Sequence, residues 1–168
     1  LVLLAAGAAV WLRSWQSAAP PAAVEAEAPP LPDRSSVAVL PFANLSNDPQ
    51  QAYFADGLAE DLMTGLSRLP DLFVISRHSA FAYRDQEIDL RKVGVELGVR
   101  YIVEGSVQRT GEQVRINIQL IDASTLGHLW AEKYDGSMAD IFVLQDRVTK
   151  SVVDALAVKL TAGEQQAL

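Results

Sequence analysis

Residues 101–134, YIVEGSVQRTGEQVRINIQLIDASTLGHLWAEKY, send apolar and polar side chains to opposite sides with a period of two. Val114, Ile116, Ile118 and Leu120 alternate with Arg115, Asn117 and Gln119, the pattern of a strand with one covered and one wetter face. The same period runs through Tyr101–Gln108 and His128–Tyr134. Turn residues at Thr110-Gly111 and from Ser124 to Gly127 separate the three runs. The stretch is therefore expected to form a three-stranded antiparallel meander.

Upstream, VAVLPF (Val37–Phe42) is a short apolar run that suits a strand buried on both faces, with Pro41 limiting pairing near its end. Asp48-Pro49 is a helix-start signature. The helix is expected to reach about Leu69, with Phe54, Leu58, Leu62, Leu66 and Leu69 on one stripe, and Pro70 ending it. Gly57 and Gly65 weaken it by about 1 kcal/mol each relative to alanine and are expected where backbone approaches the sheet. Leu72–Ser76 is a second buried strand. Asp89 and Gly98 bracket a short helix with Leu90, Val93 and Leu97 facing inward. After the meander a helix is expected from about Ala139 to Thr161, started by Ser137 and Asp140. The result is an α/β fold: a single domain, β-α-β-α-β-β-β-α, whose mixed five-stranded sheet has the spatial order 2-1-3-4-5 with flanking helices.

In an open sheet of that order, ligand crevices lie outside the carboxyl ends of strands where connections change direction. The loop Ala43–Asp48 falls there, so Asn44, Ser46 and Asn47 are candidate ligand or partner contacts, with Arg77 as a neighbouring cation. Tyr134 shares one side of the fifth strand with His128 and Trp130 and is a candidate partner contact. Trp130 is expected to pack beneath the last helix. Asp56 and Glu60, four apart, share a helix face where a cation could sit; a solvated face near the helix start is the simpler expectation.

Catalytic equipment is sparse. The chain has 2 histidines and no cysteine. It lacks the G-x-S-x-G elbow, both glycine-rich phosphate loops and the H-E-x-x-H metal motif. No catalytic residue, metal or cofactor is expected. A net charge of −7 repels phosphate backbones, which disfavours direct nucleic-acid binding.

Residues 1–15 begin with the uncharged run LVLLAAGAAVW. They suit the C-terminal half of a membrane-spanning helix, or the apolar core of a secretory signal peptide; either places the rest of the chain outside the cytoplasm. Residues 16–35 form a Pro/Ala-rich linker, the α/β domain is expected over 36–161, and 162–168 would start a connection to a downstream region. Five of the 8 prolines fall between residues 16 and 36, favouring an extended spacer.

YFADGLAEDL (Tyr53–Leu62), LSRLPDLFVISRHSAFAYR (Leu66–Arg84), the block from Glu96 to Asp135, and DIFVLQDRV (Asp140–Val148) resemble the TolB amino-terminal-like domain of bacterial signalling proteins. Arg77-His78-Ser79 and Gly94 depart from that family's usual residues. The resemblance implies a periplasmic α/β domain without catalytic activity. It implies a span preceded by a cytoplasmic output, either a class III adenylate cyclase or a CadC-like winged helix, and often tetratricopeptide repeats afterwards. The expected function is a non-catalytic periplasmic sensory or protein-interaction module of a single-pass inner-membrane signalling protein. The alternative is a structural envelope module similar to lipoprotein cofactors of cell-wall machinery. The expected partner is an envelope protein or small ligand, with the membrane reached through the N-terminal helix.

Overall fold

The run Val114–Leu120 lies at the heart of the antiparallel part of the sheet. A computed structural model describes residues 35–166 except 85, 87 and 88. The expected half-span and nearly all of the linker lie outside the described residues. Among the described residues, no helix is long and apolar enough to cross a membrane.

Among the described residues six strands occur: β1 (Ser36–Val39), β2 (Ala43–Asn44), β3 (Phe73–Val74), β4 (Tyr101–Thr110), β5 (Gln113–Asp122) and β6 (His128–Ser137). Four α-helices join them: α1 (Ala52–Leu66), α2 (Arg77–Phe81), α3 (Leu90–Leu97) and α4 (Ile141–Gln166). The sheet order is β3-β1-β4-β5-β6, with β2 also beside β4. β3, β1, β2 and β4 pair in parallel, and β4, β5 and β6 antiparallel. This mixed α/β single domain has the expected strand order.

The sixth strand has a local cause. Val39 pairs with Val103 and Ala43 with Ser106, so the first strand carries one residue more than its partner between those points. Pro41, without an N–H, sits in that excess, and the strand breaks into β1 and β2 around it.

Other expectations shift. The first helix opens with a 3-10 turn (Pro49–Gln51) capped by Asp48 and ends at Leu66, three residues short of Leu69, because Ser67 and Arg68 already turn back. The second strand shrinks to Phe73–Val74. Ser76 then caps the short helix α2, which periodicity could not reveal in five residues.

Gly65 approaches α4 and not the sheet: a Cβ there would overlap Thr149 Cγ2, whereas one at Gly57 would meet nothing within 4 Å. Asp89 and Gly98 do bracket α3, the latter in the left-handed conformation at φ 64°. Gly94, a departure from the family pattern, lies against the residue that follows β5, where a Cβ would come within 2.6 Å of Ala123 Cβ.

The main core lies between one sheet face and helices α1 and α4, where Leu58, Leu62, Leu66, Ile116, Ile118, Leu120 and Leu156 are fully enclosed. A smaller cluster of Ala38, Leu40, Val93, Val99, Ile102 and Ala123 lies under α3 on the other face. Beyond α3 that second face is open and polar, formed by alternate residues of β4, β5 and β6.

Candidate functional site

The loop after β2 stands at the carboxyl ends of the parallel strands and is closed by its own polar side chains. The Asn44 Nδ2 donates to the Asp48 carbonyl at 3.0 Å, and the Ser46 N–H donates to Asn44 Oδ1 at 3.0 Å. Ser46 Oγ accepts from the Arg109 N–H at 2.9 Å, continuing the β2–β4 pairing through a side chain. Asp48 Oδ1 accepts from Gln50 N at 2.9 Å, and bonds from Gln51 and Gln50 hold its carboxyl below the usual range. Asn44 and Ser46 thus spend their polar groups on loop shape. Asn47 is exposed on the rim. Leu45 in the same loop and Tyr53 near the start of α1 are also exposed, with 54% and 68% of their surface in solvent.

Arg77 follows β3 but turns away from this loop. Its Nε lies 2.5 Å from Glu60 Oε1 and its Nη2 lies 3.9 Å from Asp56 Oδ2. Arg84 donates to Asp56 Oδ1 at 2.7 Å. The two guanidinium carbons lie 4.3 and 5.0 Å from the Phe81 ring centre, within cation–π range. The cation that the Asp56/Glu60 face attracts is therefore supplied by the chain itself. The cation beside the loop is instead Arg109, whose Nη1 donates to Gln51 Oε1 at 3.2 Å. Its only trace in the sequence is its place two residues beyond Val107, the β4 partner of Asn44.

Tyr134 lies elsewhere, on β6 beneath α4, with 5% of its surface exposed. Its hydroxyl donates to Glu132 at 2.7 Å, and Arg147 lies over its ring at 5.5 Å. Burial, with the Glu132 bond adding to it, pushes its pKa up to about 12. With so little surface exposed, Tyr134 offers a ligand little direct contact. Trp130 packs, half-buried, against the main core.

Shallow depressions on the open sheet face include the following pair. One, about 250 Å³, is lined by Leu40, Pro41, Glu104, Ser106, Asn117 and Gln119. Here Glu104 accepts from Gln119 Nε2 at 3.0 Å, and burial raises its carboxyl above the ordinary range while His128 opposes the shift. The other, about 370 Å³, is lined by Gln108, Thr110, Gln113, Val114, Arg115 and Asp135. Arg115 grips Asp135 with Nε at 2.6 Å and Nη2 at 3.2 Å. Among the described residues, no group of three or more acidic or histidine side chains is placed to hold a metal ion. These arrangements can present hydrogen-bonding and apolar groups to a partner. The loop, the arginine cluster and Tyr134 are three separate places.

Residues 33–151 match the family model described as HilA/YgeH-like transcriptional regulator, second domain. Over 147 residues the chain is 57% identical to a Rhizobium meliloti (strain 1021) protein described as "Putative adenylate cyclase 3". That alignment covers 87% of this chain and 25% of the relative, so the chain spans a minor part of the relative's length. The fold is similar to lipoprotein GNA1162 from Neisseria meningitidis, with TM-score 0.54 and 16% identity, covering 73% of this chain and 99% of that one. It is also similar to TolB from Acinetobacter baumannii, with TM-score 0.53 and 21% identity, covering 82% of this chain and 30% of that one. At these identities the two structures show a shared fold.

Proposed function

The chain belongs to the HilA/YgeH-like transcriptional regulator second-domain family, and from that membership we propose that it is a non-catalytic accessory module of a signalling protein. Its task is to receive a protein partner or small ligand, while the output is performed by another part of a longer polypeptide. One observation carries the proposal. The same fold unit is matched by the second domain of a transcriptional regulator and by 25% of a protein named as an adenylate cyclase. Two different named outputs sharing one domain point to a role common to both, which is reception or assembly.

The internal chemistry supports this. Asp56, Glu60, Arg77 and Arg84 neutralise one another, and Asn44 and Ser46 stabilise their own loop. The partner-facing end in this proposal is the loop rim: Asn47 and Leu45, shaped by Asn44 and Ser46, together with the exposed Tyr53 at the start of α1. The exposed side of Arg77 is a further contact. The finer proposal is a single-pass inner-membrane protein whose N-terminal run anchors this domain in the periplasm. In that arrangement the output precedes the span.

The test is a fusion of alkaline phosphatase after Leu168 in the full-length gene product, combined with photocrosslinking from position 47. Phosphatase activity in intact cells and a discrete crosslinked envelope species are expected. An inactive fusion overturns the periplasmic placement. A crosslink that survives both Leu45→Asp and Tyr53→Ala overturns the loop-rim surface.

A further inference from the structure

We propose that β6 is a pairing edge through which two copies of this chain associate antiparallel about a two-fold axis at Tyr134, joining their sheets. β6 ends the sheet, and among the described residues nothing pairs with its outer side. An unpaired edge of this length is ordinarily blunted by proline, a bulge or charged side chains. On β6 the charges Lys133 and Asp135 have opposite signs and can answer each other across a two-fold axis. β6 contains no proline, and its bulge lies opposite Leu120/Ile121, leaving Ala131–Ser137 in regular register.

The hydrogen-bond parity shows which groups face outward. Met138 N donates to the Glu112 carbonyl at 2.9 Å, one step beyond the Gln113–Ser137 pair. Bonded pairs alternate along an antiparallel ladder, so Trp130, Glu132, Tyr134 and Gly136 bond to β5. Ala131, Lys133, Asp135 and Ser137 therefore direct their N–H and C=O groups away from the sheet. Arg147 confirms the parity independently: from α4 it reaches the Asp135 carbonyl at 3.4 Å, a long, exposed bond that a pairing strand would replace.

The outward residues are self-complementary in one register. Pivoting on Tyr134 sets Lys133 opposite Asp135 of the second copy, and Asp135 opposite its Lys133. A pivot on Lys133 or on Asp135 would instead face like charges, which destabilises a strand pair. In the Tyr134 register, Glu132 meets Gly136, and Trp130 meets Met138, both half-buried apolar groups at the rim of the core. Arg115, already bonded to Asp135, extends the row to alternating charges. A symmetric patch of this kind closes as a dimer. The inference stands apart from the proposed function, since it needs no ligand and no output domain.

Sedimentation equilibrium of the 168-residue chain, without its proposed output, tests it. The wild-type chain should dimerise, and Lys133→Glu and Asp135→Lys should each weaken dimerisation by roughly tenfold or more. An equimolar mixture of those two variants should recover it, because the mixed dimer has both opposite-charge pairs restored. Ala131→Pro, which removes an outward N–H without touching the β5 ladder, should give a monomer with an unchanged far-ultraviolet spectrum. A wild-type chain that stays monomeric across the micromolar range overturns the proposal. So does association that ignores all three substitutions, or a mixture that recovers nothing.

Discussion

Arg84, at the end of the turn after α2, bonds Asp56 on α1 across 28 residues of chain at 2.7 Å. Asp56 has 20% of its side-chain surface exposed, so this bond is partly shielded from water, whereas the Arg77–Glu60 pair is about half exposed on both sides. Shielding separates their energetic weight. Asp56→Ala should cost about 1–2 kcal/mol in urea unfolding, since it strands a guanidinium bond. Glu60→Ala should cost no more than about 0.5 kcal/mol. Equal losses from the two would show that exposure does not rank them.

Gly65 is where α1 and α4 touch. A methyl at that position would overlap Thr149 Cγ2, so Gly65→Ala should destabilise by about 1–3 kcal/mol despite its better helix propensity. The clash is with one side-chain methyl, so adding Thr149→Ala should return most of that loss. Thermal unfolding of the single and double variants decides it; a stabilised Gly65→Ala would show that the helices have room to part.

The β5–β6 turn depends on Asp122. Burial raises its carboxyl, but bonds from Ser124 and Thr125, with Arg100 nearby, outweigh burial and leave it below the ordinary range. A lowered folded value means that its stabilisation is present above the unfolded value, about 3.9, and is lost as pH falls through the folded one. Asp122→Ala should cost about 2 kcal/mol at neutral pH. Asp122→Asn should cost less, because all three bonds accepted at Oδ1 survive. An alanine variant as stable as wild type in urea titrations at neutral pH would remove the turn's proposed anchor.

Glu104 has the opposite sign. Its raised carboxyl means the folded chain keeps that proton to higher pH than the unfolded chain, so this group lowers stability as pH rises from about 4.3 through the folded value. Glu104→Gln should therefore be more stable than wild type at neutral pH, with the advantage shrinking toward pH 4. Urea midpoints across that range give the comparison; a variant weaker than wild type at neutral pH reverses the sign.

The parts visible from sequence were those set by neighbours in the chain. Strict alternation in Val114–Leu120 fixes which face of β5 is covered, and the Asp89/Gly98 pair marks both ends of α3 through local hydrogen bonds. The stripe from Phe54 to Leu69 overreached because Leu69 continues the apolar period after the backbone has turned at Ser67. At the candidate site, Asn44, Ser46 and Asn47 were legible as polar loop residues. Their bonding was not, since it depends on Arg109, 63 residues after Ser46. Arg77 illustrates the same limit: its position after a strand is local information, but its pairing with Glu60 follows from how α1 lies on the sheet. Parity at the β6 edge is likewise a property of the assembled ladder.

Cyclic AMP formation from ATP, assayed with the folded 168-residue chain beside the full-length gene product, bears on whether reception and output are separate. Separation predicts no turnover by the chain and, where the full-length protein forms cyclic AMP, a changed rate when Leu45→Asp is introduced there. Turnover by the chain itself would contradict it.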